Sequence, residues 1–225
     1  MNGISKIVVY NIKVIIVLHH LVMEELHMNE QIEIEFKNLL SQEEFAQLQN
    51  LFKLKPEHFV EQKNHYFDTD LFDLKKHKSA LRIREKRSFY EMTLKQPLPN
   101  QEGLLETNCE LDAETAINTI KERGIPSNKI AEKIRNLNID PQNIRYFGTL
   151  TTKRVEVPYQ SGLLVLDHSS YFQIEDFEVE FEVNEYVQGK REFAQLLSSL
   201  NIPLRPTKNK VERFYNEMMK NHTEE

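Results

Sequence analysis

Gln31-Ile-Glu-Ile-Glu-Phe-Lys37 alternates polar and apolar residues without a break. Successive side chains of a strand point to opposite faces. Glu33, Glu35 and Lys37 therefore share one face, and Ile32, Ile34 and Phe36 the other. The same period returns further along. Arg82, Arg84 and Lys86 stand opposite Leu81 and Ile83, and Thr93 and Lys95 opposite Met92 and Leu94. Thr152, Arg154 and Glu156 oppose Val155 and Val157, while Leu163, Val165 and Asp167 share a face. Glu178, Glu180 and Glu182 oppose Val179, Phe181 and Val183. For any one strand, a half-solvated antiparallel sheet explains such a face. Like charges gathered on one strand repel, however, unless something of opposite sign stands between them. A Glu cluster without Cys or His partners suits a hard divalent cation such as Mg²⁺ or Mn²⁺. An Arg/Lys cluster suits phosphate oxygens. If both clusters line the inside of a closed barrel, its interior fits a metal–polyphosphate complex.

Outward from this stretch, residues 57–68, 80–86, 89–95, 105–111, 145–150, 152–158, 163–168 and 177–183 read as further strands. Ser41 and Glu44 form a capping box before a helix with the stripe Phe45, Leu48, Leu51 and Phe52, which ends ahead of Pro56. Helices are also predicted over 113–123, closed by Gly124, and over 127–135, 190–200 and 207–220. Short connections favour antiparallel pairing. The chain thus reads as mainly β (α+β), with eight or nine strands. Glu33-Ile-Glu-Phe before Glu44-Phe-Ala-Gln-Leu48 is echoed by Glu178-Val-Glu-Phe before Glu192-Phe-Ala-Gln-Leu196.

Composition sets limits. In 225 residues there are 35 Asp+Glu against 29 Lys+Arg, a net charge of -6, which argues against a long nucleic acid as partner. It does not exclude a short polyanion, because period-two phase sorts the charges onto particular faces. Six scattered glycines write no Gly-rich phosphate loop, and there is no GxSxG elbow. The lone Cys109 excludes an internal disulfide or multi-Cys zinc site, reads as buried and inert, and suits a reducing, cytoplasmic compartment. His65, His77 and His168 read as surface or rim residues. Residues 4–23 are apolar but interrupted by Lys6, Asn11, Lys13, His19 and His20, which argues against a membrane span. Residues 1–27 are read as an upstream extension from a misplaced start, and 28–220 as one domain.

Taken together, Glu33-x-Glu35-x-Lys37, Tyr66-Phe67-Asp68-Thr69, Leu81-Arg82-Ile83-Arg84, Thr93-Leu94-Lys95, Lys153-Arg154, Leu166-Asp167, Glu178-Val-Glu180 and Lys208-x-Lys210 resemble, in order, the landmarks of the CYTH superfamily, the triphosphate tunnel metalloenzymes. The likeness spans about residues 29–218 and is nearest to the CYTH proteins of Firmicutes. It implies an eight-stranded antiparallel closed barrel forming a tunnel, with inserted and C-terminal helices. It implies Glu33, Glu35, Glu178 and Glu180 as metal ligands for Mg²⁺ or Mn²⁺, with Glu182 extending the pair and able to shift the site by one position. Lys37, Arg82, Arg84, Lys95 and Arg154 would hold a triphosphate, Asp167 would stand near the metal or hold a basic residue, and Glu106 would face inward. Lys208 or Lys210 would close one mouth. The implied activity is metal-dependent hydrolysis of a small triphosphate: inorganic, thiamine or nucleoside. Adenylate cyclase activity and a non-catalytic polyphosphate or nucleotide binder are the alternatives; a homodimer stays open.

Overall fold

The computed structural model describes residues 28–223; the extension expected over 1–27 lies outside the described residues. Eight strands form a closed barrel: β1 (Met28–Leu40), β2 (Val60–Asp68), β3 (Ala80–Lys86), β4 (Phe89–Pro97), β5 (Leu104–Leu111), β6 (Arg145–Tyr159), β7 (Gly162–Tyr171) and β8 (Ile174–Val183). Around the wall they run β1-β5-β4-β3-β2-β6-β7-β8, with every neighbouring pair antiparallel. The helices are α1 (Gln42–Leu51), α2 (Asp73–Lys76), α3 (Ala113–Lys121), α4 (Lys129–Arg135), α5 (Tyr186–Ser199) and α6 (Lys210–Thr223). This is the closed antiparallel barrel with helices that the resemblance implies.

Two apolar clusters lie outside the barrel wall, and a third, smaller one joins inward-facing Tyr66, Leu150 and Tyr171 to Phe214 of α6. Outward-facing Leu81, Ile83, Met92 and Leu94 pack with Ala116 of α3 and Ile130 and Ile134 of α4. On the other side, Leu164, Leu166, Val179 and Phe181 pack with Phe45 and Leu48 of α1 and Phe193 and Leu196 of α5. Full burial of such side chains contributes roughly 1.5–3 kcal/mol each, and it fixes the phase of every strand. Once Ile34 and Phe36 face this layer, Glu33, Glu35 and Lys37 have only the interior left. The repeated sequence words have a spatial meaning too. They fall on β1 and β8, which pair directly, and on the helices that follow and cover the same outer patch.

The observed elements depart from the sequence reading at definite places. Residues 145–158, expected as two strands, form the single 15-residue β6. Pairing shifts between Tyr66 and Phe67, which face Gly148 and Tyr146, so Phe147 is the extra residue of a bulge. The alternation there changes phase instead of ending. Gly148 is required at the bulge, since a Cβ would lie 2.4 Å from the Phe214 ring of α6. The helix predicted over 113–123 stops at Lys121. Gly124, with φ of +86°, donates its N–H to Ile144 O (2.7 Å) and turns the chain towards β6 instead of capping. Strand β2 starts at Val60, after a 3-10 turn over Pro56–His58. The four-residue α2 is too short to leave a period in the sequence. Cys109 is buried as expected, whereas His65 is buried in the wall and bonded to Thr149 (2.7 Å) and Glu85 (3.3 Å).

Candidate active site: the charged interior of the barrel

The inward faces enclose a cavity of about 1100 Å³. Glu33, Glu35, Lys37, Arg82, Arg84, Lys95, Arg154, Glu180 and Lys210 all line it. Strand register explains the meeting. Lys37 stands opposite Glu180 and Glu35 opposite Glu182 across β1 and β8, and Arg154 opposite Asp167 across β6 and β7.

Two groups of carboxylates form, with different company. Glu33, Glu35 and Glu182 bring ligand oxygens within 4.8 Å of one another. Glu33 accepts from Lys95 at 2.6 Å and Glu35 from Lys37 at 2.6 Å. These cations do not neutralise the group. Burial, then the charges of Glu180 and Glu33, push the Glu35 carboxyl up despite Lys37. Burial, with Glu33, Glu180 and Glu35 nearby, pushes Glu182 up to about 7 against the pull of Arg154. In the second group, Asp167, Glu178 and Glu180 are saturated with cations. Arg154 grips Asp167 with two hydrogen bonds (2.8 and 2.6 Å) and reaches Glu180 at 2.7 Å. Lys210 donates to Asp167 (2.8 Å), Glu178 (2.7 Å) and Glu180. Burial acts to raise Asp167 and Glu180, but these cations hold both below their ordinary values. The four carboxylates that the resemblance joins thus divide here: Glu33 and Glu35 stand with Glu182, and Glu178 and Glu180 face Lys210 and arginines.

The cations divide as well. Lys37, Lys95, Arg154 and Lys210 each hold carboxylates, and Lys95 also reaches Glu106 at 2.5 Å. Burial acts to raise Glu106, but Lys95 and Arg82 hold it down to about 2. Arg82 and Arg84 have no carboxylate within ion-pair distance among the described residues. Among the described residues the buried Nε of Arg82 finds no acceptor, and Arg84 donates to the Asn64 amide oxygen at 3.2 Å. Burial, then Arg82 and Arg154, bring the Arg84 guanidinium down to about 9. Taking a charge out of water without an opposite charge beside it is costly, and these two half-buried guanidiniums touch no carboxylate in the cavity they line.

Helix α6 lines one end of the tunnel, and the two lysines of Lys208-x-Lys210 part there. Lys210 enters the cavity, whereas Lys208 is exposed and paired with Glu212 at 3.2 Å. Two residues of α6 escaped the sequence reading. Arg213 binds Asp176 (2.9 Å) and Glu178 (2.9 Å), and the Tyr215 hydroxyl donates to buried Asp68 at 2.7 Å. Arg213 lies three residues after Lys210, the spacing that puts both on one helix face, and this was the available signal.

The raised Glu182 carboxyl predicts a pH dependence for the protein without added metal. Its folded pKa of about 7 exceeds the unfolded value near 4.3. Its stabilising contribution is therefore complete below that value and lost as pH rises through 7. Thermal melts of wild type should fall between pH 5 and 8 more steeply than those of Glu182→Gln. Equal slopes would remove Glu182 as their source.

The CYTH domain family matches residues 31–215. A Bacillus subtilis protein, YjbK, named as a candidate triphosphatase, is 44% identical over 193 residues, which cover 86% of this chain and 99% of that protein. A crystal structure of a candidate adenylate cyclase from Bacillus halodurans superposes with a TM-score of 0.79 at 43% identity, covering 83% of this chain and 98% of the other. A Hippeastrum protein, described as a candidate adenylyl cyclase with a dominant triphosphatase activity, shares the fold (TM-score 0.69, 23% identity, 83% and 96% coverage). Among the described residues, no helix is long and apolar enough to cross a membrane.

Proposed function

Because the chain belongs to the CYTH domain family, we propose that it is a divalent-metal-dependent hydrolase of a small triphosphate, acting inside the barrel of residues 28–220 in the cytoplasm. The single observation that carries this reading is the pair Arg82 and Arg84, which among the described residues have no carboxylate within ion-pair distance, in the same cavity as the acidic group Glu33, Glu35 and Glu182. An anion alone would satisfy the arginines and a cation alone the glutamates; a metal–triphosphate satisfies both.

The donor set fits a hard ion: three carboxylates, no sulfur or imidazole, and two of the three carrying proton affinities raised by burial and then by neighbouring carboxylates. Mg²⁺ or Mn²⁺ held there by Glu33, Glu35 and Glu182 would supply Lewis-acid polarisation of a phosphoryl oxygen. Arg82 and Arg84 bind and straighten the phosphate chain, with Lys37 and Lys95 beside them. Asp167 fixes the Arg154 fork in one orientation, so that Arg154 acts as a positioned charge and not a mobile one. Water attacks the terminal phosphorus, the bridging P–O bond breaks, diphosphate leaves, and the proton of the water goes to the products. Positioning and electrostatics supply the rate, and no side chain is needed as a covalent nucleophile.

The 43% identical relative named as a candidate adenylate cyclase supports a second reading, in which a ribose hydroxyl replaces water and attacks the α-phosphorus, the α–β bridging P–O bond breaks, and diphosphate leaves with the hydroxyl proton going to the products. One assay separates them. Purified protein with Mg²⁺ or Mn²⁺ is given tripolyphosphate, thiamine triphosphate or ATP, and both phosphate and cyclic AMP are followed. Phosphate release supports hydrolysis, and cyclic AMP the second reading. Binding without turnover would leave a binding module. Arg84→Met should raise KM for the hydrolysed triphosphate by about 10- to 100-fold, the value of a charge-assisted hydrogen bond. It should change the melting temperature without ligand little, because the half-buried charge it removes has no carboxylate partner and the one hydrogen bond lost is that to Asn64. A lower melting temperature with an unchanged KM would make Arg84 structural.

A further inference from the structure

The chain enters β3 through a basic run: Lys75, Lys76 and Lys78 put three lysines within four residues of an acidic protein. Lys75 and Lys78 line the interior cavity, at the end that α6 covers. Lys76 does not; its ammonium is turned to Asp73 at 2.9 Å. The run is anchored. Buried Asp68 accepts the backbone N–H groups of Thr69 (2.8 Å), Leu74 (2.8 Å) and Lys75 (3.1 Å), together with the Tyr215 hydroxyl. The N–H of Lys78 donates to Lys75 O and that of Ser79 to Leu74 O, both at 2.9 Å. The Lys75 ammonium lies 4.8 Å from the centre of the Tyr215 ring. Among the described residues neither Lys75 nor Lys78 has a carboxylate within ion-pair distance. Glu212, at the same mouth, is engaged by Lys208.

Cations continue inward from these two. Residues 80, 82 and 84 share the inward face of β3, Lys78 lies just before the strand in a turn with φ of +53°, and position 80, an alanine, stands in register with Lys95 on β4. The series Lys78, Lys95, Arg82, Arg84 makes a cationic track from the mouth into the cavity. We infer that Lys75 and Lys78 form a capture collar for a linear phosphate anhydride, which reaches Arg82 and Arg84 through the α6 end of the tunnel. This rests on the triphosphatase reading above. Like charges at the mouth of a low-dielectric cleft raise the local concentration of a counter-ion and its rate of association, and salt screens the effect beyond about 8 Å at physiological ionic strength.

The test compares wild type, Lys75→Gln/Lys78→Gln and the control Lys76→Gln, using tripolyphosphate with Mg²⁺ at low and high salt. Thermal melts check the fold of each. The double variant should raise KM about ten-fold at low salt, change kcat less than two-fold and flatten the salt dependence of kcat/KM. Lys76→Gln should resemble wild type. If wild type binds without turnover, calorimetric Kd takes the place of KM with the same expectations. If wild type turns over or binds tripolyphosphate and the double variant matches it at both salts, the collar is overturned and the triphosphatase reading stands. If wild type neither binds nor hydrolyses tripolyphosphate, thiamine triphosphate or ATP, both fall together.

Discussion

Glu35→Gln lowers metal-supported kcat/KM by at least about 100-fold, the upper end of what losing even an outer-shell partner costs a metal site, and the protein stays folded. Glu35 is one of three carboxylates whose oxygens meet within 4.8 Å. The amide keeps the shape and removes the charge that a divalent cation requires. Stability should hold or rise, because burial and the charges of Glu180 and Glu33 already work against the ionised form. Lys37 loses one partner but stays opposite Glu180 in register. Phosphate release measured alongside a thermal melt decides the matter. Loss of activity with an unchanged melt supports metal ligation, whereas a collapse of both would make Glu35 a structural residue.

Lys210→Met has the largest expected effect on stability, a loss of about 3–5 kcal/mol, the cost of removing one partner from a buried ion cluster. Lys210 touches Asp167, Glu178 and Glu180 at once, and burial alone would drive off its proton; the carboxylates hold its pKa above the ordinary lysine value instead. Without it, Arg154 and Arg213 face four buried or half-buried acids, Asp167, Asp176, Glu178 and Glu180. Urea unfolding of the variant should show the loss, and adding Glu178→Gln should recover part of it. A change below about 1 kcal/mol, with no recovery, would show that the arginines neutralise the cluster unaided. The cluster is weak evidence for net stability in any case, since such pairs barely offset the cost of leaving water.

How much of this was legible depends on the range of the interactions. β3 is found at Ala80–Lys86, the span its alternation predicts, because period two is a local property and the outward Leu81 and Ile83 make it unambiguous. The inward direction of Glu33, Glu35, Arg82, Arg84 and Asp167 follows from the same period. The sorting of partners does not. Whether a glutamate meets a lysine or another glutamate depends on cross-strand register and on α6, which returns from far along the chain to place Lys210 and Arg213 beside β8. The bulge at Phe147 was hidden for a related reason: its neighbour Gly148 leaves room for the Phe214 ring of α6, which lies far along the chain. Asp68 and Tyr215 stand 147 residues apart, and nothing near either one announces the bond.

The barrel is built inside out. Its greasy side faces a jacket of helices, and its lumen holds salt. Most of the packing that keeps the molecule folded therefore lies on the opposite surface of the same eight strands from the residues that would meet a ligand, the exceptions being Lys210 with its acids and the aromatic cluster around Phe214. Each strand carries two nearly independent texts, read on odd and on even positions. A lineage, or an engineer, could rewrite the lumen for a new guest one position at a time while the jacket keeps its packing, with Lys210 and its acids as the passage hardest to edit.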